Sequence, residues 1–351
     1  MEPFRGSAYG IMHKNANFSF EDVALVSIEA CEAPIVVTST EVDERLAPFY
    51  ERTDGKPGLL ETLAGIRERR MWPEGVSFTD AAAMAGEQAI QAAGIDRSKI
   101  GLLVDTSVCR ARLEPSSAVT VHDALGLPTT CLNFDIANAC LGFVNGMHLA
   151  GVMIDAGQID YALIVDGEGT REVYDNTINK LNEQGEGLAD IIANFATLTL
   201  GSGAAAAVIG RHSDNPGSHR MMRGFFHAAT RHHELCVGSL EGMTTDTRGL
   251  LDAGVELAKL AWEDAGADDG WGGRDRYILH QISEVHTNAM LDVLGLDPDK
   301  VPKTFPYYGN IGPAAVPITL AAVADDLAPG DSVVCMGIGS GLNAGVLELQ
   351  W

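Results

Sequence analysis

Cys140 lies in the run DIANACLGF (135–143), between an apolar stretch that reads as a strand, CLNFDIA, and one that reads as a helix, LGFVNGMHLAGVMIDAG. A thiol at a helix N-terminus feels the positive end of the macrodipole, which lowers its pKa and raises the thiolate fraction. The same turn can aim main-chain N–H groups at an oxyanion forming beside the sulfur. A small buried hydrophobe would also suit the position. His280 closes the apolar run YIL and precedes QIS, so it falls at a strand end, where a neutral imidazole can bond a carbonyl oxygen or exchange a proton. Asn310, in YYGNIGPAAVP, occupies a glycine-flanked turn before a helix; its amide is either a neutral donor for an oxyanion or an ordinary cap. Gly339-Ser340-Gly341 follows the last apolar strand and offers a main-chain N–H that a substrate could approach closely, or is a plain tight turn. Glu114, in RARLEPSSAV, reads on its own as a solvated loop acid.

These residues need elements to hold them. Short runs rich in Val, Ile and Leu recur (IGLLVDTSV, YALIVDG, AAAAVIG, YILHQI, SVVCMGIG), continuous in apolarity as strands covered on both faces are. Helical stretches alternate with them: TDAAAMAGEQAIQAAG, the helix after Cys140, TRGLLDAGVELAKLAWEDAG and PAAVPITLAAVADDL. Such alternation predicts a layered α/β protein. The chain also repeats itself. Phe134 leads to Cys140 and Gly142, a helix, then a strand begun by Asp160; Phe305 leads to Asn310 and Gly312, a helix, then a strand begun by Asp331. The offset is about 170 residues, too long for a solenoid, and predicts a duplicated domain, with halves at 1–215 and 216–351. GLLVDTSV and RYILHQIS match as the preceding strand of each half. The duplication would bring Cys140, His280 and Asn310 to one crevice at strand carboxyl ends. The polar stretch 171–195 reads as an irregular insertion carrying substrate-facing helices or loops.

Bulk composition excludes several classes. With 351 residues, a formal net charge of −24 argues against general affinity for nucleic acid or anionic membranes. The six cysteines form no CxxC pair, so neither a disulfide framework nor a structural zinc is expected. The start, MEPFRGSAYG, lacks the pattern of a secretory signal, and no apolar run reaches the length of a membrane span. A cytoplasmic location is expected. GSGAAAA at Gly201 lacks the surroundings of a phosphate-binding fingerprint, and His232-His233 lacks partners at metal spacing.

Taken together, DIANACLGF, HQIS, GNIGPAAVP and GIGSGLN resemble, in order and spacing, the thiolase superfamily and its ketoacyl-synthase III-like enzymes. The resemblance covers essentially the whole chain. It implies duplicated αβα halves in a five-layered αβαβα sandwich, the first half carrying the nucleophile Cys140 and the second His280 and Asn310. TSVCRARLEPS, ANACLGFVNGM, IDYALIVDGE, LTLGSGAA, TTDTRGL and YGNIGPA narrow the resemblance to the branch that joins two fatty acyl-CoA molecules head to head. That implies a non-decarboxylative Claisen condensation giving a 2-alkyl-3-ketoacyl product, upstream of olefin or β-lactone formation by further pathway enzymes. It also implies a homodimer in which Glu114 crosses to the partner's site as base. Main-chain groups of Cys140, Ser340 and Gly341 would form the oxyanion hole; no cofactor or metal is implied beyond the CoA thioesters themselves. The family's Trp and Arg that hold CoA ahead of GIRERR are missing here, where LLETLA stands instead. Arg67, Arg69, Arg70 and Arg248 are therefore the candidates for the CoA phosphates.

Two alternatives remain open at this level. One is a decarboxylating 3-oxoacyl synthase III using a malonyl-carrier protein, which needs no base at Glu114. The other is a non-catalytic, acyl-binding or glutamate-donating subunit of a heterodimer. Retention of Cys140, His280, Asn310 and Glu114 together argues against the second.

Overall fold

The computed structural model describes residues 17–239, 242–264 and 270–351. The start of the chain, on which the reading of no secretory signal rests, lies outside the described residues. Nine strands form a continuous path: β1 Ala24–Glu32, β2 Ile100–Asp105, β3 Leu132–Asp135, β4 Tyr161–Glu168, β5 Gly203–Gly210, β6 His219–Ala228, β7 Arg276–Leu279, β8 Ser332–Gly339 and β9 Asn343–Gln350. Their order is β7-β8-β9-β6-β1-β5-β4-β2-β3, and a short strand, Asn17–Ser19, pairs with β6. All five runs expected as strands are strands.

The path divides at β1–β6, joined through only Ala24 with Arg220 and Leu25 with His219. On one side the order is β3-β2-β4-β5-β1, with β2 parallel to β3 and β4, and β5 antiparallel to β4 and β1. On the other it is β7-β8-β9-β6, with β7 parallel to β8, and β9 antiparallel to β8 and β6. Strand for strand the second set repeats the first, except that β3 has no counterpart. The corresponding stretch, 301–304, contains Pro302, which has no N–H for a ladder, and it forms none.

The layers follow from which helices are apolar on one side and which on all. Helix α1 (Phe78–Ala93) is capped by Ser77, whose Oγ accepts from the Asp80 N–H at 3.1 Å, and ends at Gly94 with φ 63°. Its buried stripe, Ala81, Ala82, Ala85, Ala89 and Ile90, lies on the first sheet. Helix α2 (Ser117–Ala124) packs beside it. Helix α3 (Gly142–Asp155) is apolar nearly all round, as a helix buried on two sides must be. Its Phe143, Val144, Met147 and Ile154 share one core with Val104, Ile164 and Ile209 of the first sheet and Val333, Cys335 and Leu347 of the second. Two further helices, α5 (Thr247–Asp264) and α6 (Glu284–Leu294), cover the far face of the second sheet, and α7 (Ala315–Val323) joins α3 in the middle layer. The result is an αβαβα sandwich. Among the described residues no helix is long and apolar enough to cross a membrane.

The stretch 171–195 is more regular than its polarity suggested. Helix α4 (Arg171–Gln184) fills its first half because Tyr174, Thr177, Ile178 and Leu181 make a buried stripe at helical spacing. A second short helix, Leu188–Ala193, follows. Mostly polar exposed positions had hidden the four-residue stripe.

Gly167, in β4, is where α1 comes closest to the sheet: a Cβ there would sit 2.1 Å from the Phe78 carbonyl oxygen and 2.9 Å from the Ala82 nitrogen. Backbone cannot yield as a side chain can, so Gly167→Ala is expected to cost about 1–3 kcal/mol through overpacking. Urea unfolding followed by circular dichroism checks this; an unchanged midpoint would contradict the packing described.

Candidate active site

Cys140, His280, Asn310 and Ser340 line one cavity of about 1280 Å³. Its lining also takes in Trp72, Phe78 and Arg171 from the first half of the chain, and Phe225, Leu250, Met290 and Val346 from the second. Most of the lining is apolar. The volume exceeds the ~300–1,000 Å³ usual for a pocket holding one small ligand.

Cys140 stands in a 3₁₀ turn, Ala139–Leu141, immediately before α3. Ala139 has φ 45°, a left-handed conformation costing an ordinary residue about 1–2 kcal/mol. The strain is held by neighbours. Asn138 donates to Asn145 Oδ1 at 2.6 Å and accepts from Asn343 Nδ2 at 2.9 Å. Gly142 allows Thr106 close by, since a Cβ there would lie 2.9 Å from the Thr106 oxygen. The electrostatics reverse the expectation of a lowered pKa. Burial pushes the Cys140 thiol well above its ordinary range, and the neighbouring Glu168, Cys236 and Asp166 push the same way; only its own main-chain N–H opposes them. Desolvation in an apolar, acid-lined cavity outweighs the helix dipole, so the resting residue is a thiol.

His280 follows β7, its main-chain N–H donating to the Met336 oxygen at 2.9 Å. Burial, then the nearby His286, lowers its pKa to about 3, so the ring is neutral at any ordinary pH. Its neighbour Gln281 is a buried staple: Nε2 donates to the oxygens of Leu279 at 3.0 Å and Pro302 at 3.2 Å, and Oε1 accepts from the N–H groups of Thr304 at 2.9 Å and Phe305 at 3.3 Å. This ties the His280 strand to the chain leading into Asn310. Asn310 is fixed by main-chain bonds to Thr199 and Gly201, both 2.9 Å, and its Oδ1 accepts from the Gly312 N–H at 3.0 Å. The amide oxygen is thereby engaged, leaving the nitrogen as the end for a ligand. Gly201 has its reason here: a Cβ would meet the Tyr308 oxygen at 1.9 Å.

Four cavity residues were not singled out from the sequence. Glu168, at the end of β4, is buried, and burial lifts its pKa to about 7 despite bonds from the N–H groups of Val108 and Cys109. Beside it Asp105 is lifted to about 6 and Asp166 further, both chiefly by burial. A charged residue closing an apolar run, as in IVDGE, was the available signal. His286, held by Ser283 Oγ at 2.8 Å, lines the cavity and is lowered to about 4 by burial. Arg171 also lines it and donates to the Trp72 oxygen at 2.9 and 3.1 Å, and Cys236 lines it from a separate hairpin.

Glu114 lies outside the cavity of its own chain, on an exposed loop whose neighbour Leu113 is 100% exposed. Ser340 lines the cavity, but Gly341 is not among its lining residues. The four arginines proposed for CoA separate. Arg69 is corrected: it is fully buried, donates to Ser39 Oγ at 3.2 Å and the Leu198 oxygen, and lies over the Tyr174 ring, so it is a structural cation closed to any ligand. Arg70 pairs with Glu68 at 3.0 Å and covers the Tyr308 ring. Arg67 is exposed, and Arg248 has a side chain 92% exposed next to the cavity-lining Thr247. Among the described residues, no group of three or more His, Cys, Asp or Glu is placed to hold a metal ion.

Comparison with known proteins finds relatives along most of the chain. The family model for 3-oxoacyl-[acyl-carrier-protein] synthase III matches residues 134–227, and the model for that family's C-terminal part matches 273–351. An acyl-CoA:acyl-CoA alkyltransferase of Xanthomonas campestris pv. campestris is 42% identical over 336 residues, 95% of this chain and 99% of the relative. One from Shewanella oneidensis is 38% identical over 340 residues, 91% of this chain and 96% of the relative. A crystal structure of a cysteine-to-serine variant of Xanthomonas campestris OleA, with bound lauric acid and lauroyl-CoA, superposes with a TM-score of 0.92 at 42% identity, covering 95% of this chain and 100% of that one.

A raised thiol pKa has a measurable consequence. Alkylation of Cys140 by iodoacetamide at pH 7.5, followed by peptide mass spectrometry, is expected to run at least ~10-fold slower than that of free cysteine and to accelerate steadily up to pH 10. Faster alkylation that levels off below pH 8 would restore the helix-dipole reading.

Proposed function

This chain belongs to the thiolase superfamily, within its ketoacyl-synthase III-like enzymes to the acyl-CoA:acyl-CoA alkyltransferases, and from that premise we propose that it joins two long-chain acyl-CoA molecules by a non-decarboxylative Claisen condensation. The observation that carries the reading is a large, mostly apolar cavity with Cys140, His280 and Asn310 together at its wall. Two fatty tails need such a space; an acetyl primer does not.

The first acyl group passes from CoA to Cys140. Cys140 attacks as the thiolate and the proton it gives up ends on the departing CoA sulfur, so acyl transfer exchanges one thioester and one thiol for another such pair at nearly equal energy. The second acyl-CoA carries no carboxylate to lose, so its carbanion must come from removing an α-proton. The partner subunit's Glu114 is the base in this proposal. His280, kept neutral by burial, and the amide nitrogen of Asn310 donate to the thioester oxygen as negative charge gathers there. The carbanion then attacks the Cys140 thioester carbonyl, with main-chain N–H groups of Cys140 and the Ser340-Gly341 turn receiving the oxyanion. The thioester to Cys140 breaks, giving a 2-alkyl-3-ketoacyl-CoA, and hydrolysis releases the β-keto acid for downstream enzymes. No step calls on a cofactor beyond coenzyme A.

Several features support a homodimer. Strand β3 is a free sheet edge among the described residues, with Leu132 at 52% exposure. The Glu114 loop rises beside it, since Asp135 of β3 accepts from the N–H groups of Ser117 at 2.9 Å and Ala118 at 2.8 Å, just beyond Pro115. An apolar edge and an exposed tip carrying Leu113 and Glu114 suit a second copy. On this reading residues 1–215 supply the nucleophile and the crossing loop, and 216–351 supply His280 and Asn310. Arg248 and Arg67 are the cations left for the CoA phosphates, and the cytoplasm is where the substrates are met.

Incubation of the purified protein with one defined fatty acyl-CoA is expected to yield the doubled β-keto acid, or its decarboxylated ketone, by mass spectrometry. Glu114→Gln is expected to keep the Cys140 acyl adduct and CoA release while condensation falls 10²–10⁴-fold, the usual contribution of a positioned base, roughly. Condensation by that variant at the wild-type rate would remove Glu114 as the base.

A further inference from the structure

Glu168 has no part in the chemistry above, yet it is a buried acid in the wall of the Cys140 cavity. Both of its carboxylate oxygens are taken by consecutive main-chain donors of another segment. The Val108 N–H donates to one at 2.6 Å and the Cys109 N–H to the other at 3.3 Å. These two residues root the loop that ends in Glu114. The root is sewn to the end of β4 by further bonds: the Gly167 N–H donates to Ser107 Oγ at 2.9 Å, and the Gly169 N–H to Cys109 Sγ at 3.4 Å. Ser107 in turn is held by Asp105, its N–H at 2.8 Å and its hydroxyl at 2.5 Å from Oδ1. Beyond Arg110 the chain is exposed at every position from 111 to 115. The loop is thus a fixed stem with a solvent-facing tip.

We propose that Glu168 is a positioning residue for the condensation: by gripping two successive N–H groups at the stem, it sets the direction in which the loop presents Glu114 to the neighbouring subunit. The inference rests on the reading of Glu114 as a base acting across a dimer. Its physical core is the acceptor count. A carboxylate offers two oxygens to two convergent donors, and ionic acceptors make the stronger bonds. Glutamine offers one oxygen and turns an N–H₂ donor against the remaining N–H, so the stem loses a bond and gains a clash of like polarity. Aspartate keeps both oxygens but is one methylene short. A change at the stem moves the tip, and displacing a reacting group by about 1 Å costs on the order of 10²-fold in rate.

Mixed dimers separate this role from a direct one beside Cys140. One subunit carries Glu114→Gln with Cys140 intact; the other carries Cys140→Ala with Glu114 intact; each bears a different affinity tag. Only one complete site then exists. This dimer should condense acyl-CoA at about half the wild-type rate, and failure to do so would overturn the crossing of Glu114, and this proposal with it. Glu168→Gln is next placed in one subunit or the other. We expect condensation to fall at least ~10-fold when it sits in the glutamate-donating subunit, with acylation of Cys140 unchanged, and to stay within about twofold when it sits in the cysteine-bearing subunit. A defect confined to the cysteine-bearing subunit, or equal in both, overturns the proposal. Thermal unfolding verifies the fold of each dimer, and Glu168→Asp replaces Gln where the latter does not assemble.

Discussion

The nucleophile depends on a strand of the second sheet approaching the turn that carries it without side chains between them. The turn at Asn138–Leu141 belongs to the first half, and the strands that clamp it, β8 and β9, belong to the second. The clamp is made of glycine: a Cβ at Gly339 would sit 2.7 Å from the Asn138 oxygen, and one at Gly337 would sit 2.6 Å from Leu141 Cδ1. Asn343 of β9 reaches across to bond Asn138. With so close an approach, Ala139 can be kept in a left-handed conformation it would leave if free. The position of Cys140 is therefore a property of the interface between the halves rather than of its own helix. The same approach buries the back of the Cys140 turn while the residue still lines the cavity, and burial is the first cause of its raised pKa.

Burial is then the first cause of the shifts around the sulfur. In one small region the Cys140 thiol is raised, His280 is lowered to about 3, and Asp105, Asp166 and Glu168 are all raised, in each case with burial as the first cause. The shifts have opposite sign on acids and bases, as desolvation requires, because each moves toward its neutral form. A neutral imidazole and main-chain N–H groups offer hydrogen-bond donors where negative charge develops during reaction. The site's contrast with the strongly acidic surface is a matter of depth: the surface acids are solvated, while Asp105 and Glu168 accept main-chain N–H groups and Asp166 the Thr106 hydroxyl.

Much of this was legible in the sequence, for identifiable reasons. Strands buried on both faces must be continuously apolar, so all five runs could be read directly, and the duplication showed in matched glycine-flanked turns at Cys140 and Asn310. The expected strand end holds for the Cys140 turn, which follows β3, but Asn310 follows the short helix Phe305–Tyr308, because the Pro302 stretch forms no strand. What stayed hidden depends on distance between segments. The burial that raises Cys140 comes from α3 packing against both sheets, which a local motif does not encode. Arg69 looked like any arginine in RERR, and only the alternation of its strand, with Glu68 and Arg70 partly exposed and Arg69 inward, made it structural. Glu168 was passed over because its partners, Val108 and Cys109, are main-chain groups some 60 residues away. The helical stripe in α4 was obscured by polar exposed neighbours.

The duplication also explains why the site's functional groups differ so sharply in exposure. Strands β2 and β7 are counterparts, and the chain leaves each at the same end of its sheet. After β7 it turns at once into α6, so that His280 and His286 remain under the helix and are dry. After β2 it runs out instead into the loop 106–116, whose tip carries Glu114 into solvent before α2 returns it. An imidazole that serves as a neutral donor gains from permanent burial. A carboxylate that serves as a base in another molecule's cavity must instead be soluble in its own chain and desolvated only on arrival. On the proposed reading of Glu114, one topological position is used twice, with the length of the excursion deciding whether the group is buried by its own fold or left for a second copy to bury.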